Sequence, residues 1–208
     1  MVCYTGGGYT RMDERLLRAE TVVFDVGNVL LSFAPDQVSR LLPQEHRERL
    51  ARAMFGPMGR WGEFDLGIRS NGEIARDIAK EADVPGGEEM VLYALLHFHE
   101  TMRPLPLYHL ISPLRRMGKR LYALTNYPEP SFTLTQEAFP ELKELDGQLV
   151  SAREKVGKPS QAFFRLLIDR YSLHPETALF IDDLEANILA GAKAGFQTWH
   201  YAGDDRIK

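Results

Sequence analysis

Short apolar runs recur along the chain at intervals that suit strands of a sheet. Three runs are apolar at nearly every position, 21–24, 120–124 and 177–181, and two mixed runs, 148–151 and 197–201, also indicate strands. Runs of the first kind are typical of strands that are covered on both faces, as in a parallel sheet, and not of strands with one face in water. The pattern therefore predicts five strands of one buried parallel sheet.

Helical patterns fill most of the intervals between these runs. Residues 161–171 place apolar side chains on one face, and residues 185–194 form a second helical stretch for which Gly195 is a C-terminal stop. Residues 107–117 also have helical character but contain Pro113, which predicts a kink or a break. Alternation of strands and helices is typical of an α/β fold with a Rossmann-like, doubly wound parallel sheet.

One long interval, residues 36–102, departs from this alternation because it shows helical periodicity only. Helices are predicted at 44–55, 73–82 and 88–99. Ser70 and Glu73 have the spacing of a capping box, which marks the start of the second helix. The simplest arrangement is a helical domain, 36–102, inserted after the first strand of an α/β core that comprises residues 12–35 and 103–208.

Composition indicates an ordinary folded chain. Hydrophobic residues are 44% and charged residues 26% of 208, which excludes disordered and collagen-like proteins. The formal net charge of -4 gives no expectation of nucleic-acid binding. No apolar run approaches the roughly 18 residues of a membrane span. The single cysteine, Cys3, excludes a disulfide within the chain and a cysteine-based zinc site.

The first twenty residues lack the apolar block of a secretory signal. Gly6, Gly7 and Gly8 predict a flexible arm, and Met12 is an alternative start because the ordered pattern begins after it. Together with the cysteine count, these features predict a cytoplasmic protein. We expect no nucleic-acid or membrane partner, and a monomer or a homodimer.

Acidic or hydroxyl side chains follow three of the predicted strands: Asp25, Thr125, and the pair Asp182 and Asp183. Ligands bind beyond the carboxyl ends of strands in an open parallel sheet, so these residues are expected in one crevice. Asp25 can act as a nucleophile toward phosphorus, and three crowded carboxylates require a cation such as Mg²⁺. Lys158 and Thr125, assisted by backbone N–H groups such as that of Val26, can then hold phosphate oxygens.

In chain order, these residues belong to a motif series that resembles the haloacid dehalogenase (HAD) superfamily. The series comprises Asp25-Val26-Gly27-Asn28-Val29-Leu30, Thr125-Asn126, Gly157-Lys158-Pro159 and Asp182-Asp183-Leu184-Glu185-Ala186-Asn187. It spans nearly the whole chain from residue 21 onward. Its first and last motifs are similar to those of subfamily IA phosphatases of α-D-glucose 1-phosphate and of the phosphatase domain of soluble epoxide hydrolases. The helical insertion is similar to the superfamily's C1-type cap.

The resemblance implies a role for each motif residue. Asp25 would be the nucleophile that becomes an aspartyl-phosphate, with Lys158 as its catalytic partner. The Mg²⁺ ligands would be three carboxylates and one backbone carbonyl: Asp25, Asp182, Asp183 and Gly27. The groups that bind phosphate would be Val26, Thr125, Asn126 and Lys158. Asn187 would support the site by orienting the acidic pair.

One position departs from the superfamily pattern. Most of its phosphatases carry a second aspartate two residues after the nucleophile, where this chain has Gly27. Without that general acid and base, the rate falls by about 10²–10⁴-fold. Leaving groups that depart well unaided suffer less, so Gly27 suits a sugar 1-phosphate, an acyl phosphate or an aryl phosphate. A titratable residue of the helical insertion is the other solution, and the candidates are Glu63, Asp65, His97 and His99.

The sequence therefore predicts a Mg²⁺-dependent hydrolase of phosphoric monoesters that acts on a small phosphorylated metabolite, with a sugar phosphate favoured. Two alternatives stay open. A non-catalytic phosphometabolite-binding protein is suggested by Gly27, and a metal-free haloacid dehalogenase is disfavoured by the pair Asp182 and Asp183. Four further residues are expected to pack within the insertion or to be solvated, the alternative being that they shape the substrate pocket: Trp61, Phe64, Arg60 and Arg69.

Overall fold

The computed structural model describes the backbone of residues 2–5 and 8–201 and the side chains of residues 12–201. Its strands are β1 (Val2–Thr5), β2 (Gly8–Arg11), β3 (Thr21–Phe24), β4 (Arg120–Thr125), β5 (Gly147–Val150), β6 (Ala178–Asp182) and β7 (Gln197–His200). β1 and β2 pair with each other as an antiparallel hairpin. Gly6 and Gly7 of the predicted flexible arm lie outside the described residues.

The other five strands form one parallel sheet in the order β5-β4-β3-β6-β7. The chain starts the sheet at its centre, extends it through β4 and β5 on one side, and then crosses over to build β6 and β7 on the other. This reversal puts the topological switch point at β3, where a crevice forms beyond the carboxyl ends of the strands. The predicted doubly wound α/β fold is confirmed.

Side chains of the sheet enter two hydrophobic clusters, because successive residues of a strand point to opposite faces. Val22 and Phe24 belong to one cluster, whereas Val23 and Phe180 belong to the other. Every residue of β3 is buried. Both faces of the sheet are therefore covered, which is why the sequence of these strands is apolar throughout instead of alternating.

The helices are α1 (Glu14–Arg18), α2 (Pro35–Ser39), α3 (Arg47–Phe55), α4 (Trp61–Leu66), α5 (Asn71–Glu81), α6 (Gly87–His97), α7 (Ile111–Arg116), α8 (Ser131–Ala138), α9 (Ser151–Glu154), α10 (Gln161–Tyr171) and α11 (Glu185–Lys193). A 3₁₀ turn, Tyr108–Leu110, precedes α7, so the break predicted near Pro113 falls just before it. Pro113 then lies in the first turn of α7, where its missing N–H costs no helical hydrogen bond. Among the described helices, none combines the length and the apolar character that crossing a membrane requires.

Between β3 and β4, residues 35–101 contain α2 to α6 and a final 3₁₀ turn; we call this stretch the helical segment. Three of its helices, α3, α5 and α6, match the predicted ones within a few residues, whereas α2 and α4 are too short to give a clear period. The Ser70 hydroxyl accepts from Glu73 N at 3.2 Å and the Glu73 carboxylate accepts from Ser70 N at 3.0 Å, which confirms the capping box. Ile74 and Leu95 share one hydrophobic cluster with Val22, so the segment and the sheet have a continuous core.

Candidate active site

The carboxyl ends of β3, β4 and β6 meet beside a cavity of about 370 Å³. Asp25 directly follows β3, Thr125 ends β4, and Asp182 ends β6 with Asp183 next in the chain. The loop before α10 brings Lys158 to the same place. Residues from separate motifs therefore meet in space, as the doubly wound topology requires.

Lys158 lies between two carboxylates. Its Nζ is 2.8 Å from Asp25 Oδ1 and 2.7 Å from Asp182 Oδ2, and its side chain is 1% exposed. Burial opposes the charge of the ammonium, but the two carboxylates outweigh burial and raise the pKa of Lys158. The side chain is therefore held as a cation. An ammonium has three N–H donors, and these contacts use two of them.

The side-chain amide of Asn126 fixes the backbone of this lysine. Asn126 Oδ1 accepts from Lys158 N at 2.8 Å, and Asn126 Nδ2 donates to Lys158 O at 2.9 Å. These two bonds tie the loop that carries Lys158 to the end of β4. These contacts show that Asn126 positions Lys158. One N–H of the Asn126 amide is left for a ligand.

Asp182 is hydrogen-bonded on both oxygens. Its Oδ1 accepts from Asn187 Nδ2 and from Leu184 N, each at 2.9 Å, while its Oδ2 faces Lys158. Asn187 lies in the first turn of α11, and this helix follows the acidic pair directly. The start of α11 therefore holds Asp182 in one orientation at the end of β6.

Asn28 holds the other member of the acidic pair, and the sequence analysis assigns it no role. Asn28 Nδ2 donates to Asp183 Oδ2 at 3.2 Å, and Asn28 Oδ1 accepts from Phe33 N at 2.9 Å. Its φ of 55° lies in the left-handed region, which asparagine enters more readily than most residues. The asparagine directly after Gly27 in the loop motif was the signal that could have found it, because a turn needs such a residue.

Asp25 lies next to one cation and two other anions. Its Oδ1 accepts from Val26 N at 2.7 Å as well as from Lys158, so the backbone N–H predicted to bind phosphate is engaged by Asp25 itself. Burial raises the pKa of Asp25 to about 7; Lys158 opposes the rise, and Asp182 and Asp183 add to it. One carboxylate oxygen from each of the three aspartates lies within 4.8 Å of the others. This set, the carboxylate cluster, offers the hard oxygen donors that a divalent cation prefers.

Two further predicted site residues are Thr125, whose hydroxyl is an unused donor among the described residues, and Gly27, which leaves open space in the cavity. The Thr125 hydroxyl is buried and has no hydrogen-bond partner among the described residues. A buried hydroxyl left unpaired costs about 1–3 kcal/mol, so an anionic ligand that accepts a hydrogen bond from it would be favoured. Gly27 lines the cavity, and a Cβ placed there would meet Phe33 Cβ at 3.9 Å, an ordinary contact. Packing therefore does not explain the glycine.

Four aromatic side chains line the same cavity and form what we call the aromatic wall: Phe33, Trp61, Phe98 and Tyr127. Ring centroids are 5.3 Å apart for Phe33 and Trp61, 5.2 Å for Trp61 and Phe98, and 5.2 Å for Phe98 and Tyr127. Trp61, expected to pack within the insertion, thus faces the cavity, whereas Phe64 behind it is fully buried.

The four acid–base candidates of the helical segment separate clearly in space. Asp65 lines the cavity. Glu63 instead binds two arginines that were expected to be solvated, Arg60 at 2.9 Å and Arg69 at 3.1 Å. His97 and His99 lie at the end of α6 and in the following turn, and neither is among the described lining residues, although Phe98 between them is.

Comparison with known proteins adds the family. The sequence profile of the haloacid dehalogenase-like hydrolases matches residues 19–195. The chain is 29% identical over 205 residues to acyl-CoA dehydrogenase family member 10 of Mus musculus, an alignment that covers 91% of this chain but 18% of that protein. It is 23% identical over 185 residues to the sesquiterpene phosphatase astK of Aspergillus oryzae, covering 87% of this chain and 89% of that protein. The chain thus spans less than a fifth of the mouse relative and most of the fungal one.

A solved structure agrees in fold. A HAD family enzyme from Bacteroides thetaiotaomicron superposes with a TM-score of 0.71 at 18% identity, covering 90% of this chain and 96% of that chain. The same enzyme is also known in complex with magnesium and inorganic phosphate, with a TM-score of 0.67. The resemblance drawn from the motif series and the predicted hydrolase class are confirmed. Because the profile covers most of the sequence, this chain belongs to the haloacid dehalogenase-like hydrolase family.

Proposed function

We propose that this protein is a Mg²⁺-dependent hydrolase of phosphoric monoesters that acts on a small phosphorylated metabolite through an aspartyl-phosphate intermediate. The observation that carries the proposal is the buried ion pair of Asp25 with Lys158 at the carboxylate cluster. A carboxylate that attacks a phosphate must overcome the repulsion between two anions, and fixed positive charge beside both lowers that barrier. The phosphatase astK, and a family enzyme solved with magnesium and phosphate, are consistent with this reaction.

Mg²⁺ is the cation that suits the donors present. The ligands would be the three members of the carboxylate cluster, Asp25, Asp182 and Asp183, together with the backbone carbonyl of Gly27. When bound, the ion would neutralise charge on the carboxylates and on the phosphate. The raised pKa of Asp25 is consistent with this assignment, because burial and then the charges of Asp182 and Asp183 disfavour its carboxylate in the absence of a cation.

Phosphate oxygens would be held by donors at the strand ends: Val26, Thr125, Asn126 and Lys158. The unpaired Thr125 hydroxyl and the third N–H of Lys158 support this set most directly. Val26 N already donates to Asp25, so its bond would have to be shared or exchanged when phosphate binds. Asn187 would act through Asp182, as a positioning residue.

The reaction would proceed by two displacements at phosphorus. An oxygen of Asp25 attacks phosphorus, the P–O bond to the alcohol breaks, and the phosphoryl group stays on Asp25. Water then attacks the same phosphorus, the P–O bond to Asp25 breaks, and inorganic phosphate is released. Lys158 stabilises the negative charge of the transferring group in both steps, because its ammonium is already desolvated and fixed.

The helical segment would serve as a cap, with residues 36–102 covering a core formed by 12–35 and 103–208. Trp61 and Phe98 support this division, since both come from the segment and line the cavity that also contains Asp25. Covering the site would exclude bulk water and strengthen every electrostatic contact inside it. The monomeric or homodimeric state and the cytoplasmic location stay predictions of the sequence.

Two substrate classes are supported, one by the leaving-group requirement set by Gly27 and one by the lining of the cavity. A sugar 1-phosphate releases a hemiacetal, which is more acidic than an ordinary alcohol and needs less help from a general acid. The aromatic wall favours a second class, phosphate esters of apolar or aromatic alcohols, because four rings offer apolar area and few free polar groups. The substrate class in the name of astK, a sesquiterpene phosphatase, is consistent with the second class.

A phosphate-release screen over both ester classes, with Mg²⁺ and with chelator, tests the proposal. We expect release that requires Mg²⁺ and is lost in Asp25→Asn. Tight binding of a phosphorylated ligand by isothermal titration, with no phosphate released from any ester, would instead indicate a non-catalytic binding protein. Halide release from haloacids that persists in chelator would indicate the dehalogenase alternative, which gains nothing from the extra negative charge of Asp182 and Asp183.

A further inference from the structure

The cavity contains a carboxyl group that the proposed mechanism has not used. Asp65 lines the cavity together with Asp25, Gly27 and Lys158. Among the lining residues that the structure describes, it is the one titratable side chain contributed by the helical segment. The two-step reaction still lacks a group that protonates the leaving oxygen, because the position that usually supplies it is Gly27.

The backbone at Asp65 is tied to the core by a short hydrogen-bond relay. Ser151 Oγ donates to Asp65 O at 2.5 Å, and Ser151 Oγ in turn accepts from Tyr127 N at 2.9 Å. Ser151 is fully buried, so this link is shielded from water. Tyr127 lies two residues after Thr125 in the chain. Asp65 is therefore held at a fixed position relative to the end of β4, although it comes from the helical segment.

Close packing at the C-terminal end of α4 holds the same position from the other side. Gly67 ends α4 with a φ of 58°, and a Cβ there would lie 2.9 Å from Ala152. Lys155 Nζ also donates to Gly67 O. The end of α4 is thus pressed against α9 with no room for a side chain, and a general acid needs this kind of fixed support.

Two of the alternatives within the segment, Glu63 and His97, are bound by other side chains, and the third, His99, is not among the described lining residues. Glu63 is bound by Arg60 and Arg69, and His97 is bound by Glu100 at 3.0 Å. Asp65 interacts electrostatically with three titratable groups, Asp25, Lys158 and Tyr127. Burial and then the charge of Asp25 raise the pKa of Asp65 well above its usual range, with Lys158 opposing. A raised pKa favours the protonated carboxyl group, which is the form that can donate a proton.

We infer that Asp65 is the general acid and base of the hydrolysis, in place of the usual aspartate that is absent at Gly27. This inference rests on the proposed phosphatase function. In the first step, the P–O bond to the alcohol breaks and the leaving oxygen takes the proton of Asp65. In the second, the Asp65 carboxylate takes a proton from water as the water oxygen bonds to phosphorus and the P–O bond to Asp25 breaks. Asp65 is protonated again, and one ester and one water have become one alcohol and one phosphate.

Two nearly isosteric esters test the role, because only the acidity of their leaving groups differs greatly. Phenolate is a more basic leaving group than p-nitrophenolate, so phenyl phosphate gains more from a proton on its leaving oxygen than p-nitrophenyl phosphate does. In Asp65→Asn, we expect kcat/KM for phenyl phosphate to fall by about 10²-fold or more, and kcat/KM for p-nitrophenyl phosphate to fall by much less. Since water attack also loses its base, p-nitrophenyl phosphate should give a burst of one nitrophenolate per enzyme followed by slow turnover.

Asp83→Asn is the matched control, because Asp83 is an exposed aspartate of the same segment outside the cavity lining. It should leave both esters unchanged, and Asp65→Glu should restore part of the phenyl phosphate rate. An equal loss on both esters with no burst would make Asp65 a structural residue, and no loss on either would exclude it. In both of these cases, continued loss of activity in Asp25→Asn would leave the phosphatase function standing. Release from neither ester by the wild type would overturn both.

Discussion

The carboxylate cluster and the aromatic wall line the same cavity, yet their side chains come from different kinds of element. The members of the cluster stand at the ends of β3 and β6, with Lys158 buried between them. The wall takes Trp61 and Phe98 from the helical segment and its other rings from loops after β3 and β4. The cluster is thus fixed by the sheet, whereas the wall depends on how loops and short helices pack over it.

The two surfaces also satisfy their atoms differently. In the cluster, Asp25 and Asp182 are held by directional bonds of 2.7–2.9 Å to Lys158, Asn187 and backbone N–H groups, and Asp183 by a bond of 3.2 Å to Asn28. The rings of the wall contact one another at tilted or edge angles, and these ring contacts are not directional bonds. Directional bonds tolerate little change, while ring packing can be altered in steps. We therefore expect substitutions in the cluster to lower the rate of the reaction, and substitutions in the wall to change which substrates bind.

The largest effect is expected from Lys158→Met. The change leaves Asp25 and Asp182 facing each other in a buried place, and breaking a buried ion pair in this way costs about 3–5 kcal/mol. Phosphate release should fall by at least about 10²-fold, since a preorganised donor is lost. Steady-state kinetics and urea unfolding measure the two effects. Lys193→Met, an exposed lysine at the end of α11, is the matched control, and a loss of activity no larger than in that control would contradict the role of Lys158.

The same contrast explains which parts of the site were predictable from the sequence. Asp25, Thr125, Lys158 and the acidic pair follow strands or start a helix, so topology alone brings them together. The role of Asn28 and the bond of Asn126 to Lys158 depend on loop conformation, which no residue spacing specifies. The structure also shows Val26 N engaged by Asp25, a local bond that phosphate-binding logic does not anticipate.

The wall was largely hidden from sequence reasoning for a physical reason. Phe33, Phe98 and Tyr127 lie far apart in the chain and meet through long-range packing, and an aromatic residue in a helix or loop is usually part of the core. Trp61 was noticed but expected to pack inside the insertion. Among the four acid–base candidates, the sequence had no means of choosing Asp65, because α4 is shorter than two turns and its inward face gives no period.

The next largest effect concerns stability without metal. Burial raises the pKa of Asp25 from 3.8 to about 7, so between these values the folded state holds a proton that the unfolded state has lost. The free energy of unfolding should therefore decrease as pH rises from about 4 to about 7, by a few kcal/mol, and then level off. Asn at position 25 has no charge to bury, so Asp25→Asn should show a smaller decrease, and the remainder comes from other carboxyl groups such as Asp65, whose pKa is also raised.

Thermal unfolding in chelator, as a function of pH, compares the two proteins. Adding Mg²⁺ should stabilise the wild type at pH 8 more than the variant, because a carboxylate ligand is missing in the variant. Parallel pH curves for wild type and Asp25→Asn would contradict the charge crowding inferred at the cluster.

A smaller effect is expected at the wall, from Trp61→Ala. The indole lines the cavity, and losing its apolar contact with a ligand, worth about 1.5 kcal/mol, should raise KM for aryl phosphates by about 10-fold with a smaller change in kcat. Phe55→Ala is the matched control: its ring lies 4.7 Å from Trp61, but Phe55 is not among the described lining residues. Michaelis–Menten kinetics on aryl and sugar phosphates measure both. A larger fall in kcat than rise in KM would mean that the wall shapes the chemistry as well.

The smallest change in the wild-type background is expected from Gly27→Asp, which adds a carboxyl group to the cluster side of the cavity. There is space for it, since the nearest contact of a new Cβ would be Phe33 Cβ at 3.9 Å. If Asp65 already supplies the proton, the gain on alkyl phosphates should be only severalfold, and the gain on sugar 1-phosphates smaller still.

In the Asp65→Asn background, the same substitution should restore much of the lost rate, because the new carboxyl group would take over proton transfer. The double-mutant cycle on phenyl phosphate measures this difference as a coupling between two positions 38 residues apart (65 minus 27) in the chain. Equal gains in both backgrounds would show that the two carboxyl groups act independently. Acid–base catalysis would then be a property of the cluster side alone, with the helical segment left to bind and cover the substrate.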